Sequence, residues 1–211
     1  MNLHPPFNKV VKTESELRSI LGEPGELAQE KVIPYLDEHC VQFINQSPFV
    51  VLSTFNKNGT CDASPRGDRA GFTYIVDKNR LVIPERRGNK RADSLLNIMS
   101  QPSIGMSFFI PGLSDTLRVN GKAYITKDHE LLNNMTVEGK NPLLGIGVLV
   151  EECFIHCGKA FKISKLWNSE TWPLKKDLPS SGKIMAAHAQ LKENSSDIEK
   201  RLEEGYVRRL Y

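Results

Sequence analysis

Phe49-Val50-Val51-Leu52-Ser53-Thr54-Phe55 is the stretch whose reading decides the fold. It is dense in β-branched and aromatic residues and runs into Asn58-Gly59, a pair suited to the positive-φ positions of a tight hairpin. A strand returning over 60–65 is therefore expected. Downstream the same pattern repeats: 72–76, the turn Asp77-Lys78-Asn79-Arg80 and 81–83 read as a second hairpin, and 104–110, 116–126 and 146–156 as further strands. Segments 89–99 and 128–135 have helical spacing, the first with Asn89 as cap and Leu95, Leu96, Ile98 and Met99 turned inward. Short strands punctuated by hairpins, with a helix crossing among them, predict a mainly β (α+β) fold, an antiparallel six-stranded β-barrel.

Helices flank this centre. Thr13-Glu14-Ser15-Glu16 precedes Leu17, Ile20 and Leu21 as a capping box would, and Gly22 and Pro24 stop the run. Leu36, Cys40, Phe43 and Ile44 recur at helical spacing, and helices are expected again after Gly158, over 182–192 and over 195–204. The expected organisation is a helical arm over 1–48, a barrel domain over 49–166 and a helical extension over 167–211.

The 211-residue chain carries 28 basic and 25 acidic residues, net +3, so bulk charge does not mark a nucleic-acid binder. No stretch reaches the roughly 20 apolar residues that a bilayer crossing needs. Met1-Asn2-Leu3-His4-Pro5-Pro6 lacks the apolar core of a secretory signal. Cysteines 40, 61, 153 and 157 show no disulfide-framework spacing, so a reduced, cytoplasmic protein is expected. Cys153-Phe154-Ile155-His156-Cys157 does not have zinc-ligand spacing, because on a strand the two cysteines stand about 13 Å apart with the histidine on the other face. No metal site is expected, and no glycine-framed nucleophile accompanies these cysteines.

Three segments carry candidate chemistry. Ile83-Pro84-Glu85-Arg86-Arg87-Gly88-Asn89-Lys90-Arg91 lies where a strand gives way to a helix, and helix starts with nearby cations accept phosphate. Ser64-Pro65-Arg66-Gly67-Asp68 ends a strand with an arginine, a glycine that allows close approach, and a carboxylate. Thr116-Leu117-Arg118-Val119-Asn120-Gly121 alternates, placing Thr116, Arg118 and Asn120 on one face.

Taken in order, and with Cys157-Gly158-Lys159-Ala160-Phe161 and Lys165-Leu166-Trp167 behind them, these motifs resemble the pyridoxamine 5'-phosphate oxidase-like, FMN-binding split-barrel superfamily. The likeness is strongest to its FMN-dependent enzymes of unassigned substrate. It implies FMN in a groove at a homodimer interface, with Lys90 and Arg91 on the phosphate and Asn89 at a neighbouring hydroxyl. It also implies Ser64, Arg66, Gly67 and Asp68 along the flavin, backbone contacts from Pro84 and Glu85, Thr116 and Arg118 facing ring and ribityl chain, and Trp167 reaching in from the second subunit. An FMN-dependent oxidoreductase is the implied activity; a non-catalytic flavin carrier, or the same fold holding a deazaflavin or haem, is the alternative. Two departures speak against pyridoxamine phosphate as substrate. Gly67-Asp68-Arg69-Ala70-Gly71 interrupts the apolar strand of the true oxidases, and Val207-Arg208-Arg209-Leu210-Tyr211 lies too far beyond Trp167 to match their substrate signature.

Overall fold

The structure is a computed structural model that describes residues 7–190 and 193–208, for 208 the backbone alone. The chain divides into two compact units, Met1–Val32 and Ile33–Tyr211. In the first, helix α1 (Glu14–Leu21) begins where the Thr13 hydroxyl accepts the Glu16 N–H and ends at Gly22, whose φ is 76°. A short helix α2 (Glu26–Glu30) follows. Neither helix buries a side chain.

The second unit opens with α3 (Glu38–Gln46), capped by the Asp37 carboxylate, which accepts the Cys40 N–H at 2.8 Å. Then come β1 (Phe49–Phe55), β2 (Cys61–Gly67), β3 (Tyr74–Asp77), β4 (Arg80–Glu85), helix α4 (Asp93–Ser100), β5 (Ser103–Phe109), β6 (Thr116–Thr126), α5 (His129–Asn133) and β7 (Leu144–His156). Past the sheet lie α6 (Lys159–Ser164), two short 3₁₀ turns, α7 (Ser181–His188) and α8 (Ser195–Arg208). The predicted helix over 182–192 is met by α7; its positions 191–192 lie outside the described residues, as do 209–211 of the C-terminal motif.

All strand pairings are antiparallel, in the order β2-β1-β5-β6-β7-β4-β3. The six-strand expectation is thus corrected to a seven-stranded sheet that does not close by backbone pairing. The reason lies in the 72–83 hairpin. Both of its arms join the sheet, β4 on β7 and β3 outermost on β4. The Asn58-Gly59 turn forms as expected: Gly59 has φ 82° and the Asn56 side chain accepts the N–H groups of Asn58 and Thr60.

Cross-strand register sorts the faces. Leu52, Met106, Val119 and Cys153 oppose one another across β1, β5, β6 and β7, and all four are buried. They belong to one core with Ile44 of α3, Ile98 of α4 and Leu81 and Ile83 of β4. The next row, Val51, Ser107, Arg118 and Phe154, falls on the other face because successive side chains alternate. Between Asn120 and Gly121 a bulge shifts the β6–β7 register. A side chain at 121 would meet the Leu149 carbonyl at 2.0 Å, so only glycine fits.

Helix α4 departs from its expected start. Lys90 and Ala92 adopt φ of 63° and 58°, a left-handed backbone unusual for residues with a Cβ. The helix therefore begins at Asp93 with Ala92 in the cap position, not at Asn89. Its inward face is also different: Ser94, Asn97 and Ile98 are buried, whereas Leu96 and Met99 are exposed. Polar bonds hold that face. Asn97 Nδ2 donates to Thr54 Oγ1 at 3.1 Å, and Ser94 Oγ donates to Asp62 Oδ2 at 2.6 Å. Among the described residues, no helix is long and apolar enough to cross a membrane.

Candidate functional site: a cationic loop along the edge of β2

β2 and β4 stand far apart in the pairing order, yet their ends touch through side chains. Arg66 Nε and Nη2 both lie 3.2 Å from Glu85 Oε2, and Arg66 Nη1 donates to Ser64 Oγ at 2.5 Å and to the Pro65 carbonyl at 3.0 Å. One residue past Glu85 and two past Arg66, Arg86 Nε donates to Asp68 Oδ2 at 2.9 Å and its Nη2 to the Met135 carbonyl at 2.8 Å. The Asp68 side chain is 1% exposed and that of Arg86 16%. The sheet therefore coils until its separated strands meet across a seam of two ion pairs. Such buried pairs fix geometry more reliably than they add stability.

The loop 86–92 leaves this seam and tracks β2 back toward its start. It ends where Arg91 lies in the field of Asp62 and Ser94 bonds that same carboxylate. Asn89 Oδ1 accepts the Arg91 N–H at 3.0 Å, making a local turn of the kind asparagine favours. Arg91 Nε donates to Asp93 Oδ2 at 2.8 Å, and that carboxylate raises the guanidinium further above its ordinary range. Arg87, Asn89, Lys90 and Arg91 are all exposed.

Beside the loop's far end a shallow groove of about 630 Å³ crosses the sheet, lined by Ser53, Thr54, Asp62, Ala63, Gly105 and Asn120 among others. Its floor is a register row: Ala63, Ser53, Gly105, Asn120 and Glu152 oppose one another across β2, β1, β5, β6 and β7. Small side chains make the floor shallow. Asn120 Nδ2 donates to Glu152 Oε1 at 2.5 Å, and a Cβ on Gly105 would come within 3.2 Å of Asn120 Oδ1.

The structure thus brings Ser64, Arg66, Gly67 and Asp68 at the end of edge strand β2 against the end of β4, which carries Pro84 and Glu85 and leads into the loop with Asn89, Lys90 and Arg91. Arg118 and Thr116 stand on β6, three strands from β2. Arg118 lies on the outer face with its guanidinium 5.2 Å from the Phe154 ring, while Thr116 is buried. Trp167 is further off. It stacks on Phe161 at 5.6 Å, Phe161 contacts Phe109, and its Nε1 donates to the Leu113 carbonyl. That is the Phe109 end of β5, opposite the Ser103 end that lines the groove. Motif reading passed over Arg86, Asp62, Ser53 and Gly105 as site residues, because only strand register and the coil of the sheet place them there.

A coiled antiparallel sheet, a helix wedged against its first strands and a cationic loop beside its edge define an α+β protein. The pyridoxamine 5'-phosphate oxidase sequence profile matches residues 36–155, more than half of the chain, and the protein belongs to that family, within the superfamily its motifs pointed to. No curated protein matches it. Among solved structures it is similar to HupZ of Group A Streptococcus, at 15% identity and TM-score 0.47 over 56% of this chain and 92% of that one. An FMN-binding protein from Syntrophomonas wolfei matches at 11% identity and TM-score 0.42, over 56% and 81%. A Clostridium acetobutylicum protein related to general stress protein 26, of the pyridoxinephosphate oxidase family, matches at 12% and 0.40, over 57% and 89%.

Proposed function

We propose that the chain binds FMN and works in the cytoplasm as an FMN-dependent oxidoreductase, assembled as a homodimer that completes the cofactor site. The observation that carries this reading is the loop 86–92, in a chain of this family. Three exposed cations and an asparagine turn lie on one open edge, while the neighbouring Arg66 and Arg86 are already paired. This donor set fits a phosphate monoester. Lys90 supplies a point charge and Arg91 a guanidinium fork. Its present partner, Asp93, forms only an exposed pair of the kind an incoming phosphate displaces easily.

FMN, when bound, supplies hydride or electron transfer at its ring, and the protein supplies position and electrostatics. Asn89 takes a hydroxyl beside the phosphate. Ser64, Gly67 and the backbone of Pro84 and Glu85 line the cofactor's length. Arg66 and Asp68 act there through their ion pairs, which hold the edge in shape. Arg118 sets the charge beyond it, with Thr116 two residues earlier on the same face of β6. Trp167, at the other end of β5 in its own chain, serves the site of a second copy. The substrate class is left to the groove floor of Ser53, Gly105 and Asn120.

The test is a titration of FMN into wild type and a Lys90→Ala/Arg91→Ala variant, followed by fluorescence, with the visible spectrum of the purified protein recorded first. Binding by wild type that the variant loses supports the phosphate assignment. A haem or deazaflavin spectrum replaces FMN by the alternative cofactor. Bound flavin that nicotinamide donors fail to reduce favours the carrier. Sedimentation with and without FMN reads the dimer separately.

A further inference from the structure

We propose that Cys40 of α3 and Cys153 of β7 are a modification site, a buried dithiol that a peroxide converts to a disulfide. The two residues are far apart in sequence, yet Cys153 Sγ lies 3.2 Å from Cys40 Sγ, and both are buried. A disulfide needs about 2.05 Å, so the sulfurs must close by only about 1 Å. Both backbones are held in place to meet. Ile33 exchanges two hydrogen bonds with Cys153, at 3.0 and 2.7 Å, and Asp37 caps the turn that presents Cys40. The inference does not depend on the FMN reading.

Buried thiols in apolar surroundings are ordinarily inert, because burial disfavours the thiolate. Here each sulfur has the other. The Cys153 S–H donates to Cys40 Sγ and holds the Cys40 thiol below its ordinary range, against burial and the Asp37 carboxylate. The same contact, together with burial, pushes Cys153 far up. Cys40 therefore ionises first and Cys153 keeps its proton. Exposure points the same way: Cys40 is 8% exposed and Cys153 0%.

The chemistry follows. The Cys40 thiolate attacks one oxygen of hydrogen peroxide; an S–O bond forms, the O–O bond breaks, and the departing hydroxide takes a proton to leave as water. Cys153 sulfur then attacks the sulfenic sulfur; the S–S bond forms, the S–O bond breaks, and the second water carries off the Cys153 proton. Two thiols and one peroxide give one disulfide and two waters, with two electrons passing from sulfur to oxygen.

Cys61 and Cys157 are exposed and free, and they would react in the background. The experiment therefore uses the full chain with Cys61→Ser and Cys157→Ser, reduced, desalted and treated with a small excess of hydrogen peroxide. Expected are joint loss of both remaining thiols to alkylation in denaturant, and a mass lower by two hydrogens. One Cys40–Cys153 cross-linked peptide should appear, reversed by dithiothreitol. The melting temperature should rise on the order of 5–10 °C, because the bond closes a long loop. With Cys153→Ser added, which keeps an O–H donor beside Cys40 but cannot close the bond, Cys40 should gain oxygen in place of losing hydrogen. Two thiols that stay alkylatable, or that gain oxygen without cross-linking in the parent, overturn the proposal. Both readings come from the variant that keeps the native buried pair, so a poorly folding Cys153→Ser chain does not blunt them.

Discussion

Arg86 and Arg91 stand at opposite ends of one loop and are held in opposite ways. The Arg86 side chain is 16% exposed against an Asp68 that is 1% exposed. The Arg91 side chain is 72% exposed and its partner Asp93 45%. In sequence both belong to one basic run. In the fold the first fastens the sheet's two ends, and only the second can change partners for a ligand at little cost. Burial and partner, not residue type, divide a structural arginine from one open to a new partner.

Asp68→Ala tests the buried seam most severely. It leaves Arg86 buried beside the Met135 carbonyl without its carboxylate, and should cost about 3–5 kcal/mol in urea unfolding. A loss under about 1 kcal/mol would mean the seam is as loosely held as the exposed loop. Next, Lys90→Ala/Arg91→Ala should weaken FMN binding about 100-fold while leaving the unfolding midpoint unchanged. A large stability loss there would erase the distinction. Glu85→Gln sharpens it from the middle. The Arg66 and Glu85 side chains are 18% and 24% exposed, so the change should cost about 1–2 kcal/mol and move FMN affinity less than about threefold. A much tighter FMN complex would show Arg66 released to the phosphate.

The smallest effect belongs to a half-buried carboxylate. Asp37 sits below its ordinary value of 3.8, chiefly because its carboxylate accepts the Cys40 N–H. A depressed folded value means this contribution is complete above 3.8 and is lost as pH falls through the lower folded value. Asp37→Ala should cost no more than about 1 kcal/mol at pH 6. The gap from wild type should shrink toward pH 3, read from urea midpoints at both pH values.

Much of the fold was legible because its signals are local. Asn58-Gly59 dictates its own turn, and all seven strand segments carry β-branched or alternating residues; only their sum was miscounted, since pattern does not say whether both arms of the 72–83 hairpin join the sheet. Helix α4 misled for a physical reason. Leu95, Leu96, Ile98 and Met99 spread over two faces, and the deciding contacts were polar ones from Ser94 and Asn97. Asn89 did serve as a cap, but of a turn at Arg91 rather than of a helix. The β2 and 86–91 motifs meet where the end of β2 touches the end of β4. They could not show that Glu85 occupies Arg66, because that pairing exists only once the sheet has coiled.

The strand order has a consequence for how the protein is made. Among the described residues β4, which leads into the cationic loop, pairs only with the short β3 and with β7, the last strand of the sheet to leave the ribosome. Until β7 is synthesised, the upstream anchor of that loop has no long strand to dock on, and the wait is set by loop closure over the whole of 86–143. The edge proposed to take FMN is thus encoded in the first half of the chain but completed only when β7 arrives, so a nascent or truncated protein ending before Leu144 should fail to bind FMN in the titration above.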